Sequence, residues 1–178
     1  DNALVGLATS YNVFTNVQIY GQLLLDELSI KYYFQEEEGW WGKKYGLQAG
    51  FKIADLFGIK NLFVLTEYNQ VRPFTYAHAN AMHNYGNYFE PLAHPLGSNF
   101  REILGKIRYT HQNLYLQGKW IHAWKGENPE NVNLGSDPYI ISTSRGDDFG
   151  HEMLQGIKTS LSYFDIRAGY MLIPEWGL

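Results

Sequence analysis

Along most of this chain apolar and polar residues alternate with a period of two, the pattern of a strand with one apolar and one polar face. The clearest case sets Val17, Ile19, Leu23 and Leu25 against Gln18, Tyr20, Gln22, Leu24 and Asp26. Tyr45, Leu47, Ala49, Phe51 and Ile53 repeat it against Gly46, Gln48, Gly50 and Lys52, and a strand over Leu62 to Asn69 follows, less cleanly sorted. Ala3 to Ser10 opens the series with small residues on one face. Ile103, Gly105, Ile107 and Tyr109 alternate with Glu102, Leu104, Lys106, Arg108 and Thr110, so one face of that strand carries charge and is expected to be wet. Leu114 to Trp120, a segment from Met153 to Leu161, and Ile166 to Ile173 complete a prediction of eight strands.

The connections alternate between short and long. Short links are expected near Asn12 to Asn16, Asp55 to Asn61, His111 to Asn113 and Tyr163 to Asp165. Long loops are expected over about 29–44, 73–96 and 125–149, each rich in Gly, Asn, Pro, Glu and aromatic residues. Hairpins with tight turns at one end and extended loops at the other are the organisation of an outer-membrane β-barrel. A half-buried sheet of a soluble protein shares the alternation but has no reason to sort its loops. Tyr11, Tyr20, Tyr45, Tyr68, Trp120 and Trp124 fall near strand ends, where a barrel places its aromatic girdles.

Composition agrees with an all-β reading: 16% of the 178 residues are aromatic, with 14 Tyr and 18 Gly, a mixture that suits strands. A mean hydropathy of −0.32 without a long apolar run excludes a spanning helix, and a barrel hides its lipid face from such averages. The net charge of −4 argues against nucleic acid as a partner, and the absence of cysteine removes disulfides, thiolate metal sites and a cysteine nucleophile. No basic-then-apolar leader opens the chain, so a mature or incomplete chain is expected.

Four runs carry a family resemblance: Tyr20 to Glu27, Gly39 to Gly46, Glu67 to Tyr76, and Pro91-Leu92-Ala93-His94-Pro95-Leu96-Gly97-Ser98-Asn99-Phe100. In this order they resemble the Wzi-like capsule-assembly outer-membrane β-barrels, with a closer likeness to their gliding-motility-associated relatives. The resemblance implies a single antiparallel β-barrel domain over 1–178, located in the bacterial outer membrane. It implies no catalysis and no cofactor, and a role in surface polysaccharide attachment or cell-surface movement. Its members are longer, with more strands. This chain is therefore expected to be a C-terminal portion of a larger barrel, incomplete at both ends, with Pro174 leading into another external loop.

Candidate ligand-binding residues lie in the long loops. Glu36, Glu37 and Glu38 beside Trp40 and Trp41 join carboxylates, which hold divalent cations, to indoles, which stack on sugar rings. A solvated charge run beside loop-packing aromatics is the alternative. Tyr76 and His94 border a loop that also holds His78, His83 and Glu90; their spacing matches no metal motif, and loop histidines bonded to their own backbone are the expectation. A hydrolase pairing Glu67 or Glu90 with a histidine is the weaker reading. Glu67, Lys106, Arg108, Gln117, Lys119 and Arg167 are placed by their parity on the face turned to a barrel lumen. There they are expected to pair and plug it, or else to line a pore.

The expected function is recognition: a cell-surface barrel in contact with outer-membrane lipid, binding or anchoring surface polysaccharide or partner proteins. The alternatives are a passive diffusion channel and a soluble all-β carbohydrate-binding module.

Overall fold

The structure, a computed structural model, describes residues 3–26, 39–80 and 94–172 and the backbone of 86–87 and 90–91. Strands β1 (Leu4–Phe14), β2 (Val17–Asp26), β3 (Lys44–Ile53) and β4 (Leu62–Val71) are followed by a separate two-stranded hairpin, β5 (Gly86–Asn87) and β6 (Glu90–Pro91). The main sheet then continues with β7 (Phe100–His111), β8 (Leu114–Glu127) and β9 (Ile157–Tyr170). All seven strands of this sheet are antiparallel neighbours in chain order, and among the described residues there is no α-helix. The protein is all-β. Its sheet is open, with β1 and β9 as edges that run in the same direction.

The expectation of eight strands is corrected to seven in this sheet. The link expected at Tyr163 to Asp165 is uninterrupted strand, in which Tyr163, Phe164 and Asp165 lie opposite Ile121, Trp120 and Lys119. Asp165 reads as a turn residue in sequence, but its carboxylate is bound by Arg167, two positions on and so on the same face. The segment expected from Met153 begins only at Ile157, after Gly156 at φ 90° turns the chain. β8 runs on to Glu127, so the third long loop is 128–156 rather than 125–149. The other long connections span 27–43 and 72–99, and all three leave the same end of the sheet. The opposite end has a two-residue turn at 15–16, a 3₁₀ turn at Leu56–Gly58 and a turn at 112–113.

Register sorts the two faces. One carries Leu7, Leu23, Leu47, Ile19, Phe51, Val64, Ile107, Trp120, Phe164 and Ile166, and it is exposed: Leu7 by 69%, Phe164 by 71% and Ile166 by 87%. The apolar stretch crosses the hydrogen-bonded rows obliquely. In the row that joins Leu7, Leu23, Leu47, Gln70, Arg101, Trp124 and Ser160, the β1–β3 side is aliphatic and the β4–β9 side is not. From β1 to β9 the band slides toward the turns by about two rows, roughly 13 Å along the strands.

The other face carries Gln18, Gln22, Gln48, Lys52, Glu67, Asn69, Glu102, Lys106, Arg108, Gln117, Lys119, Asp165 and Arg167. Every buried side chain of the strands belongs to this face at its long-loop end: Asp26, Lys44, Asn69, Val71, Phe100, Glu102 and Ala123. The described parts of the long loops therefore fold over the polar face, and the small core of Val71, Phe74, Tyr76, Ala77 and Phe100 lies beneath them.

Candidate functional site

The described parts of the three long loops are knitted together. Trp41 N–H donates to Asp148 O (3.0 Å), and His151 N–H donates to Gly39 O (2.9 Å). Phe74 N–H donates to Gly135 O (2.9 Å) and Ser142 N–H to His78 O (3.0 Å). Asn99, fully buried in the left-handed region at φ 57°, donates to Gly126 O (2.8 Å) and Gln155 O (2.9 Å) and accepts from Leu154 N–H (2.7 Å). Asparagine tolerates that backbone conformation, and its amide satisfies peptide groups that burial would otherwise orphan.

Where this cap meets the polar face it leaves a cleft of about 260 Å³, lined by Gln22, Gln48, Asn69, Tyr76, His94 and Phe100. Tyr76 enters it from the loop at φ 73°. The Tyr76 backbone N–H is anchored on Asp26 Oδ2 (2.8 Å), and its ring lies over Gly46, where a Cβ would meet the hydroxyl at 3.4 Å. His94 stacks on Phe100 with ring centres 4.4 Å apart. Its Nδ1 accepts from Leu96 N–H (3.2 Å), so Nε2 carries the proton and faces Glu102 Oε1 at 3.3 Å.

From Glu102 a hydrogen-bonded chain crosses the sheet. Asn69 donates to Glu102 (3.0 Å) and to Glu67 (2.9 Å), and the Tyr20 hydroxyl donates to the other oxygen of Glu67 (2.5 Å). Tyr20 reaches β4 because Gly50 of the intervening β3 has no side chain: a Cβ there would lie 2.6 Å from the ring. Tyr20 thus lies on the polar face, not in an aromatic girdle as its position in sequence suggests. The other five girdle candidates share the apolar face.

The sequence candidates fall into four groups. Tyr76 and His94 line the cleft, and Glu67 joins His94 through Asn69 and Glu102, two residues that strand patterning alone did not mark as a site. Trp40 and Trp41 lie outside the cleft. The Trp41 ring is covered by the Arg145 guanidinium at 3.8 Å and the Lys44 ammonium at 4.9 Å, with Phe74 at its edge. Lys106, Arg108, Gln117, Lys119 and Arg167 share the polar face with Glu67, farther from the loops. Glu36, Glu37, Glu38, His83, Pro174 and the Glu90 side chain lie outside the described residues.

A cleft of planar amides, an imidazole and a phenol ring, with carboxylates behind them, offers donors and acceptors in fixed planes beside apolar ring faces. That chemistry suits sugar hydroxyls and C–H faces. A glycosidase pair needs an open gap between its carboxylates; between Glu67 and Glu102 the Asn69 amide bonds both. Among the described residues no three His, Asp or Glu side chains converge as metal ligands. No family model, curated protein or solved structure matches the chain.

Proposed function

We propose that this chain is part of a non-enzymatic outer-membrane β-barrel of the cell surface. Its external loops hold surface polysaccharide, or partner proteins of a capsule-assembly or gliding-motility machinery, at the cleft of Gln22, Gln48, Tyr76 and His94. The observation that carries this reading is the continuous, exposed apolar face. Toward the loops it gives way to Tyr45, Tyr68 and Trp124, toward the turns to Tyr109 and Tyr170, and it backs onto a charged face. Lipid accepts such a face, whereas water does not leave so large an apolar patch uncovered. The oblique course of the band supports the same reading, since barrel strands tilt against the membrane normal and a level membrane crosses their rows at a slant. The resemblance to the Wzi-like barrels points the same way.

A barrel has no edges, and bacterial single-chain barrels have even strand numbers. The seven strands here, with parallel-running edges, close antiparallel only with an odd number of further strands between β1 and β9. The test is fractionation of the full-length protein from its native cells, then gel migration of the detergent extract with and without heating. Recovery in the outer membrane with a faster unheated band is expected, along with loss of cell-bound polysaccharide when Gln22 and Gln48 are both replaced by Leu. A soluble protein without a heat shift would overturn the barrel and turn the apolar face into an interface with another domain. A diffusion channel is the second reading, favoured by the weak charge pairing on the polar face described next.

A further inference from the structure

The polar face carries a concentration of positive charge that the rest of the chain does not predict. In one row Lys52, Leu65, Lys106, Lys119 and Asp165 follow one another across β3, β4, β7, β8 and β9. In the next row toward the turns stand Phe63, Arg108, Gln117 and Arg167. Five cations thus face one carboxylate in a chain whose net charge is −4.

That carboxylate is already engaged: Asp165 takes both Arg167 Nε (2.8 Å) and Nη2 (3.3 Å). Glu67, one row toward the loops, is held by Tyr20 and Asn69. Lys106 and Lys119 are direct cross-strand partners, and neither ammonium has a carboxylate within 4.0 Å among the described residues. Like charges directly opposite on a sheet repel, and Asp165, the carboxylate on the other side of Lys119, is taken up by Arg167. Nearby rings reinforce the arrangement, with Lys52 over Tyr20 at 4.6 Å and Arg108 over Phe63 at 5.1 Å.

We infer that the Lys106–Lys119 pair, flanked by Lys52 and Arg108, is a binding site for polyvalent oxyanions, the phosphate or sulfate groups of a solute or of a sugar chain. A group with two or more negative charges between the ammoniums replaces their repulsion by charge-assisted hydrogen bonds. The inference uses only the polar face and stands whether that face lines a barrel or a soluble sheet.

The test is calorimetric titration of the purified full-length protein at low salt with inorganic triphosphate and with sulfated maltotriose, neutral maltotriose serving as control. Binding of triphosphate that weakens with added salt is expected. It should fall at least tenfold in the Lys106→Gln/Lys119→Gln double variant and stay unchanged in Lys158→Gln, a cation outside the two rows. Sulfated maltotriose binding as well assigns the site to sugar-borne groups; triphosphate alone assigns it to small solutes. No binding of either probe to the wild type, or binding indifferent to the double variant, overturns the inference and leaves the fractionation result untouched. An unchanged circular-dichroism spectrum and an unchanged urea midpoint show that the variant folds.

Discussion

Glycine at position 50 determines what Tyr20 can do, because the ring lies where any side chain on β3 would stand. Gly50→Val is therefore expected to push Tyr20 off Glu67 and destabilise the protein by about 1–3 kcal/mol, the usual cost of overpacking. Tyr20→Phe, which removes only the hydroxyl, should cost about 1 kcal/mol or somewhat more, its partner being charged. In a double-mutant cycle the two effects should fall short of additive, since both break one hydrogen bond. Urea unfolding of the refolded protein reads all three, and full additivity would separate the ring's position from the bond. Asn99 is the second residue on which much depends, with three hydrogen bonds joining the end of the 72–99 connection to β8 and the 128–156 loop. Asn99→Ala should cost about 2–4 kcal/mol through the peptide groups left unpaired, and limited proteolysis should then cut within 128–156 first. Neither role shows in the pattern of residues along the chain. Gly50 reads as one of 18 glycines and Asn99 as one loop polar among many, and only register puts Gly50 between Tyr20 and Glu67.

Strands were the most legible part of the chain, because period-two alternation is a local property and six of the expected segments coincide with observed strands. The same parity placed Glu67, Lys106, Arg108, Lys119 and Arg167 on one face before any register was known. What misled was local too: Asp165 looks like a turn until Arg167 is seen to hold it, and the loop cap depends on contacts far apart in sequence, such as Arg72 with His151 O at 2.9 Å. The slant of the apolar band was invisible to alternation, and it yields a sharp expectation for arginine substitutions. Leu23 and Ser160 occupy one hydrogen-bonded row, yet Leu23 lies within the band and Ser160 beyond it. In lipid vesicles Leu23→Arg and Ile166→Arg should each cost about 2–4 kcal/mol and Ser160→Arg about 0–1 kcal/mol, the difference between the bilayer midplane and its interface. Equal costs at Leu23 and Ser160 would mean that the band follows the rows and that no tilted membrane crossing underlies it.

At the scale of the whole molecule the decisive feature is the pair of open edges. β1 is exposed along its length and β9 over almost all of it, and each presents unpaired peptide groups that neither lipid nor water-facing sheet design tolerates for long. Parity forbids an antiparallel seam between them, so the proposed barrel keeps them apart with an odd number of further strands. The chain has no cysteine, which makes introduced thiols unambiguous reporters. In the full-length protein, Val64→Cys with Ile107→Cys, opposite each other across β4 and β7, should be joined by a short thiol cross-linker within one molecule. Val5→Cys with Ile166→Cys, on the two edge strands, should not. Both variants should keep the heat-modifiable band, which separates a failure to cross-link from a failure to fold. Efficient linkage of Val5→Cys to Ile166→Cys within one molecule would mean that β1 and β9 are neighbours and would rule out intervening strands. Linkage between two molecules would place the missing strands in a second chain.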